Sequence, residues 1–183
     1  VKKFMKLKVL TFVMGIAFVM TAVPAAAKYL STGYDLYNIP YDYSGSSANY
    51  LSNTSADHWN QKIGVTVNHV DNAENWFFHY DYNDGWLGLY QPDIVGGNVD
   101  SFNISINRTE LEVLNNSSKY DDEATYWQLA INTSVHEFGH ALFLGDYESK
   151  EGVGDNSIMS YSRDRTNSVP RTRDVNEIKD LRN

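Results

Sequence analysis

Five consecutive residues, His136-Glu137-Phe138-Gly139-His140, carry the side chains best suited to chemistry in this chain of 183 residues. On a helix, successive residues turn by about 100°, so His136 and His140 stand about 40° apart, one turn above the other. Two imidazoles so placed can hold one Zn²⁺ through nitrogen, and Glu137 beside them can reach a water on that ion. Asp146 follows a short way on, and Ser157-Ile158-Met159-Ser160-Tyr161 lies just downstream. Taken alone, Asp146 reads as a solvated loop carboxylate.

The elements that must position these groups can be read from periodicity. From about Glu123 to Leu144 the spacing is helical, and Trp127, Ile131, Val135, Phe138 and Leu142 gather on the side away from His136. Such a helix buries its back and turns its histidines towards a cleft. Phe102, Ile104 and Ile106 alternate with Asn103 and Ser105, which predicts a half-buried strand over Asp100–Asn107. Shorter strands are predicted at 64–70 and 76–82. An edge strand is expected within Tyr34–Tyr43, because that segment contains Pro40. Ser46–Gln61 reads as a helix, Asn83-Asp84-Gly85 as a turn, Asn115–Asp122 and Gly152–Asn156 as loops, and Arg173–Leu181 as a short terminal helix. Strands that mostly precede the long helix indicate a mixed α+β fold.

Composition removes several alternatives. With Cys 0 there is no disulfide scaffold, thiolate metal site or cysteine nucleophile. A net charge of -8 and a pI of about 5.0 argue against a nucleic-acid surface, which needs clustered Lys and Arg. Residues 1–27 have the make-up of a secretory signal peptide. Lys2, Lys3, Lys6 and Lys8 precede an apolar run from Val9 to Val23, and Ala25-Ala26-Ala27 supplies small residues for cleavage after Ala27. The expectation is a secreted, extracellular protein whose single domain spans 28–183, a monomer with no stable membrane insertion once the signal is removed. Little chain separates that cleavage point from the first strand, and no cysteine-switch propeptide can operate without cysteine.

The stretch His136 to Asp146, HEFGHALFLGD, resembles the extended zinc motif H-E-x-x-H-x-x-G-x-x-H/D of the metzincin metallopeptidases. SIMSY, residues 157–161, resembles their Met-turn, and the wider layout over 33–181 resembles a bacterial matrixin-type domain. The resemblance implies a twisted mixed sheet with an edge strand over a long zinc-binding helix, followed by a short C-terminal helix. It implies one catalytic Zn²⁺ on His136, His140 and Asp146, with Glu137 as general base and Met159 as a buried structural floor. Tyr161 sits two residues after the methionine, where astacin- and serralysin-like relatives carry a tyrosine that can stabilise the oxyanion. The implied activity is hydrolysis of polypeptides bound in extended form, with the strand near Phe102–Asn107 offering its edge to the substrate. Two departures stand out: Phe143 replaces the family glycine, with Gly145 two residues later, and the third ligand is Asp instead of the commoner His.

Other readings remain open at this level. A gluzincin-type peptidase would draw its third ligand from a later helix, where Glu177 is the obvious candidate. A secreted adhesin or inhibitor module could keep the metal without catalysis, although such a module has no need of Glu137. His79 reads as an ordinary strand residue and His58 and His69 as surface or partly buried groups, while Trp76, Trp86 and the many tyrosines suit either strand packing or a substrate or glycan surface.

Overall fold

Alternating side chains build one mixed sheet, and the helices that cover it carry the candidate site. The computed structural model describes residues 28–117 and 123–183; the 1–27 signal segment and part of the 115–122 loop lie outside the described residues. The elements run β1 (Asn38–Ser44), α1 (Ser46–Ile63), β2 (Thr66–His69), β3 (Trp76–Tyr80), β4 (Gly88–Val95), β5 (Asn98–Asn107), α2 (Arg108–Asn115), α3 (Glu123–Ala141) and α4 (Thr172–Leu181). Short 3₁₀ turns occupy Ser149–Glu151 and Gly154–Asn156, the second within the segment expected to be a loop. The fold is α+β.

Strand order is β2-β1-β3-β5-β4, parallel except for the antiparallel β4–β5 pair. Two expectations about edges are therefore corrected. β1 is internal despite Pro40, because its two neighbours divide its length: β2 pairs with Asn38–Tyr41, and β3 only with Asp42–Ser44. Asn75 bridges the gap on the β3 side, donating from Nδ2 to Pro40 O and accepting from Phe102 N. β5, the anticipated substrate edge, is also internal, flanked by β3 and β4. The edges are β2 and β4, and β4 is a strand the sequence reading missed. Its connection to β5 is the pair Gly96-Gly97, with φ of 61° and 89°, the left-handed geometry of a two-residue hairpin loop. β4 tolerates Pro92 because one side of an edge strand has no ladder to feed.

One face of the sheet supplies Ile39, Tyr41, Val67, Phe77, Phe102, Ile104 and Ile106 to the core. α3 packs on this face through Phe138, whose ring stacks on Phe77 and meets Tyr41 edge-on. α1 braces α3 through Trp59, fully buried, whose indole N–H donates to Val135 O at 2.9 Å. α1 stops at Gly64, which adopts the left-handed cap conformation, and Asn60 then clasps Val67 through both amide atoms. The short helix α2 begins at Asn107, whose side chain caps Glu110 N and also holds Tyr82 N and Asp84 O. That buried asparagine pins the loop leading into the edge strand, and so fixes one rim of the cleft.

Candidate metal centre

His136, Glu137 and His140 lie on the last turns of α3, buried from bulk solvent yet lining a cleft of about 520 Å³. Beyond Ala141 the chain must reverse to bring Asp146 back to the histidines. Phe143 makes this reversal with φ at +69°, the left-handed region that glycine adopts most easily. The left-handed turn is thus made without a glycine, and Gly145 is not among the positive-φ residues. An incoming segment straps the turn in place: Tyr34 N donates to Ala141 O, Leu30 N to Phe143 O, and Gly145 N to Lys28 O. Gly33 lies directly against the Phe143 ring, where a Cβ would come within 2.3 Å of Cγ.

The side chains converge on one point. One ligand atom from each of His136, His140 and Asp146 falls within 4.8 Å of the others. Asp146 Oδ1 is 3.0 Å from His136 Nε2 and 3.6 Å from His140 Nε2. The opposite ring nitrogens are already engaged, His136 Nδ1 with Ile158 O at 3.0 Å and His140 Nδ1 with Leu144 O at 2.9 Å. A carbonyl can only accept, so both Nδ1 atoms carry a proton, and in the neutral imidazole form each Nε2 presents a lone pair. Asp146 Oδ1 is buried and lacks a hydrogen-bond partner. Three acceptors facing each other without a hydrogen between them is an arrangement that a cation completes, and these residues could bind a metal ion.

Charge states follow from burial. His136 is pushed down to about 4, by desolvation first and then by the Arg163 charge, so it is neutral near pH 7 and suited to ligation. Desolvation also lifts Glu137, to about 7, against the pull of His140, Arg163 and the Tyr90 backbone N–H. For Asp146, burial opposes ionisation, but the imidazoles and a hydroxyl contact outweigh it and hold the carboxyl at about 2. That hydroxyl is Tyr161, which donates to Asp146 Oδ2 at 2.7 Å.

Met159 is fully buried beneath α3. A Cβ on Gly139 would fall 2.5 Å from its sulfur, so the glycine between the two histidines is the space this methionine fills. Asp174, at the start of α4, accepts from Ser157 Oγ and from Ile158 N, and so ties the turn under the site to the terminal helix. Gly88 of the edge strand is bare for a similar reason: a Cβ there would lie 2.5 Å from Glu137 Oε1 and 2.6 Å from Thr133 Cγ2. The edge strand therefore passes directly across Glu137, and Gly88, Leu89 and Tyr90 line the cleft.

Glu177 is not at this centre. It bonds the Tyr147 hydroxyl and Arg173 Nε, away from the cleft. His58 bonds Ser168 O, His69 lies against Asp42, and His79 is buried against Tyr126; none joins the group. Arg163, which the sequence reading passed over, lines the cleft as well.

No family model matches the chain, and no curated protein does. Among solved structures it is similar to a chain of the ECX AB5 holotoxin in its GM1-bound form, with a TM-score of 0.56 at 15% identity, covering 86% of this chain and 87% of that one. It is also similar to myroilysin, with a TM-score of 0.52 at 16% identity, covering 85% of this chain and 98% of that one. At these identities the likeness is one of fold.

Proposed function

We propose that this chain is a secreted zinc-dependent endopeptidase of the metzincin type, matrixin-like, acting as a monomer on polypeptides in extended conformation. The observation that carries the reading is the meeting of His136 Nε2, His140 Nε2 and Asp146 Oδ1 as three proton-free acceptors beside Glu137. Two nitrogens and one oxygen form a donor set that zinc takes readily while keeping a fourth position open. When bound, such an ion supplies Lewis acidity towards a carbonyl and makes water easier to deprotonate.

The remaining work falls to the chain itself. Glu137 stands beside the ligand set, with Oε2 4.0 Å from His140 Nε2, and is sheltered from bulk water. It takes a proton from the attacking water and hands it to the departing amine. The hydrophobic surroundings that raise its affinity for a proton serve both halves of that transfer. The outer edge of β4 at Gly88–Tyr90, where the Tyr90 N–H meets Glu137, is the strand edge that would take an extended substrate, in place of the internal β5. Tyr161 holds Asp146 towards the histidines; with one proton to give, its hydroxyl turns from Asp146 if it is to donate to a developing oxyanion. Met159 supports the helix from below.

A gluzincin arrangement is disfavoured because Glu177 is engaged by Tyr147 and Arg173. A purely binding module has no use for a carboxylate positioned as Glu137 is. The test is hydrolysis of casein and of a quenched peptide library by the zinc-loaded protein, with and without a strong chelator. Activity is expected to vanish on chelation and to return with zinc. Undiminished cleavage in the chelator, or no cleavage under any metal condition, would sink the reading.

A further inference from the structure

Arg163 is buried in the cleft wall with a full positive charge and no counterion beside it. Its Nε donates to Asn132 Oδ1 at 2.9 Å and its Nη1 to Ser160 O at 2.7 Å, both neutral acceptors. Among the described residues it takes part in no ion pair. The carboxylates that act on it from farther away have partners or duties of their own. Asp174 accepts from Ser157, Ile158 and Arg171, Asp146 faces the histidines and Tyr161, and Glu137 lies across the cleft floor. Neither acceptor carries the negative charge that a guanidinium pairs with. Burying an uncompensated charge is costly, and arginine suits sites that receive a carboxylate through parallel N–H donors. Arg165 lines the same cleft and adds like charge.

We infer that Arg163 is a specificity-determining residue that receives the carboxylate of an acidic substrate side chain, Asp or Glu, flanking the bond to be cut. The inference rests on the peptidase reading and deepens it by naming the substrate class. With a dication held by His136, His140 and Asp146, the negative charge of the cleft is offset. Arg163 is then the unbalanced charge that an incoming chain meets. The preference works against a simple expectation from the acidic composition of the protein, which would favour basic substrates.

The experiment uses the zinc-loaded wild-type protein and matched peptides that carry Asp or Asn at each position flanking the cleaved bond. One position is expected to show kcat/KM higher for Asp by about 10-fold or more, the scale of a sheltered charge-assisted pair. Arg163→Gln should collapse that ratio towards unity, Arg163→Lys should keep part of it, and Arg165→Gln should keep most of it. Since Arg163→Gln removes two buried hydrogen bonds and can misfold, the wild-type ratio and the Arg163→Lys ratio stand as independent readouts. Cleavage with an Asp-to-Asn ratio near one at every position overturns the inference and leaves the peptidase reading intact. If no peptide is cut, that reading fails, and calorimetric binding of the same peptide pairs decides the inference: tighter binding of the Asp peptide upholds it, equal binding ends it.

Discussion

His136 and His79 are both buried imidazoles against the same long helix, yet their surroundings lead to opposite outcomes. His136 gives its Nδ1 proton to Ile158 O and aims Nε2 at a second imidazole and a carboxylate. His79, on β3, contacts the Tyr126 hydroxyl through Nε2 and leaves Nδ1 buried without a partner among the described residues. Both are pushed down to about 4, each by desolvation first. Burial and a lowered pKa therefore do not make a site. What separates the two is convergence: lone pairs from three residues share one region around His136, whereas no carboxylate joins His79 in a ligating group.

This contrast can be broken or sharpened by substitution. The largest expected effect is on turnover: Glu137→Gln should lower kcat by about 10²- to 10⁴-fold with zinc content unchanged, measured by peptide hydrolysis and metal analysis on the same sample. A variant that keeps wild-type turnover would remove Glu137 from the chemistry. Next, His136→Ala or His140→Ala should weaken zinc binding by more than about 100-fold, beyond what loss of a supporting partner costs, whereas His79→Leu should leave it unaltered. Competition with a chromophoric chelator reads this directly, and equal losses for His79 and His136 would erase the distinction. Tyr161→Phe should reduce zinc affinity by about 10- to 100-fold, because Asp146 loses the donor that orients its second oxygen.

The smallest effect concerns acid stability. Because His79 is held neutral in the fold, its ordinary value of 6.5 falls to about 4. The unfolded chain then binds more protons between those values, so stability is fully present above pH 6.5 and is lost as pH falls towards 4. His79→Leu should cut the stability lost across that window by about 3 kcal/mol, read from urea midpoints at several pH values. An unchanged slope would show that His79 does not govern it.

Much of the centre can be read from residue order because it is local. His136, Glu137, His140 and Asp146 fall within a single helix and the turn that ends it, so helical geometry alone brings most of the chemistry together. The rest depends on contacts between distant segments. β5 looked like a strand from its alternation, but its internal position was hidden, since β3 and β4 flank it only after the chain has folded. β4 itself was missed because Gln91, Asp93, Ile94 and Val95 are all exposed and give no alternating pattern. The Gly96-Gly97 pair ahead of a clear strand was the available signal for a hairpin. α2 is a short helix, too brief for periodicity to stand out, and its cap at Asn107 doubles as the end of β5. Phe143 shows the limit from the other side: residue type marks no left-handed turn there, and only the fold reveals its φ of 69°.

The segment from Lys28 to Asp35 looks dispensable in a protein whose site is built by a helix more than a hundred residues away. It is instead the scaffold on which the turn carrying Asp146 rests, through backbone hydrogen bonds with Ala141, Phe143 and Gly145. Trimming a recombinant version to begin at Leu36 would leave both imidazoles on an intact helix while freeing the loop that carries their oxygen partner, so a shortened front end would present itself in the laboratory as poor zinc retention.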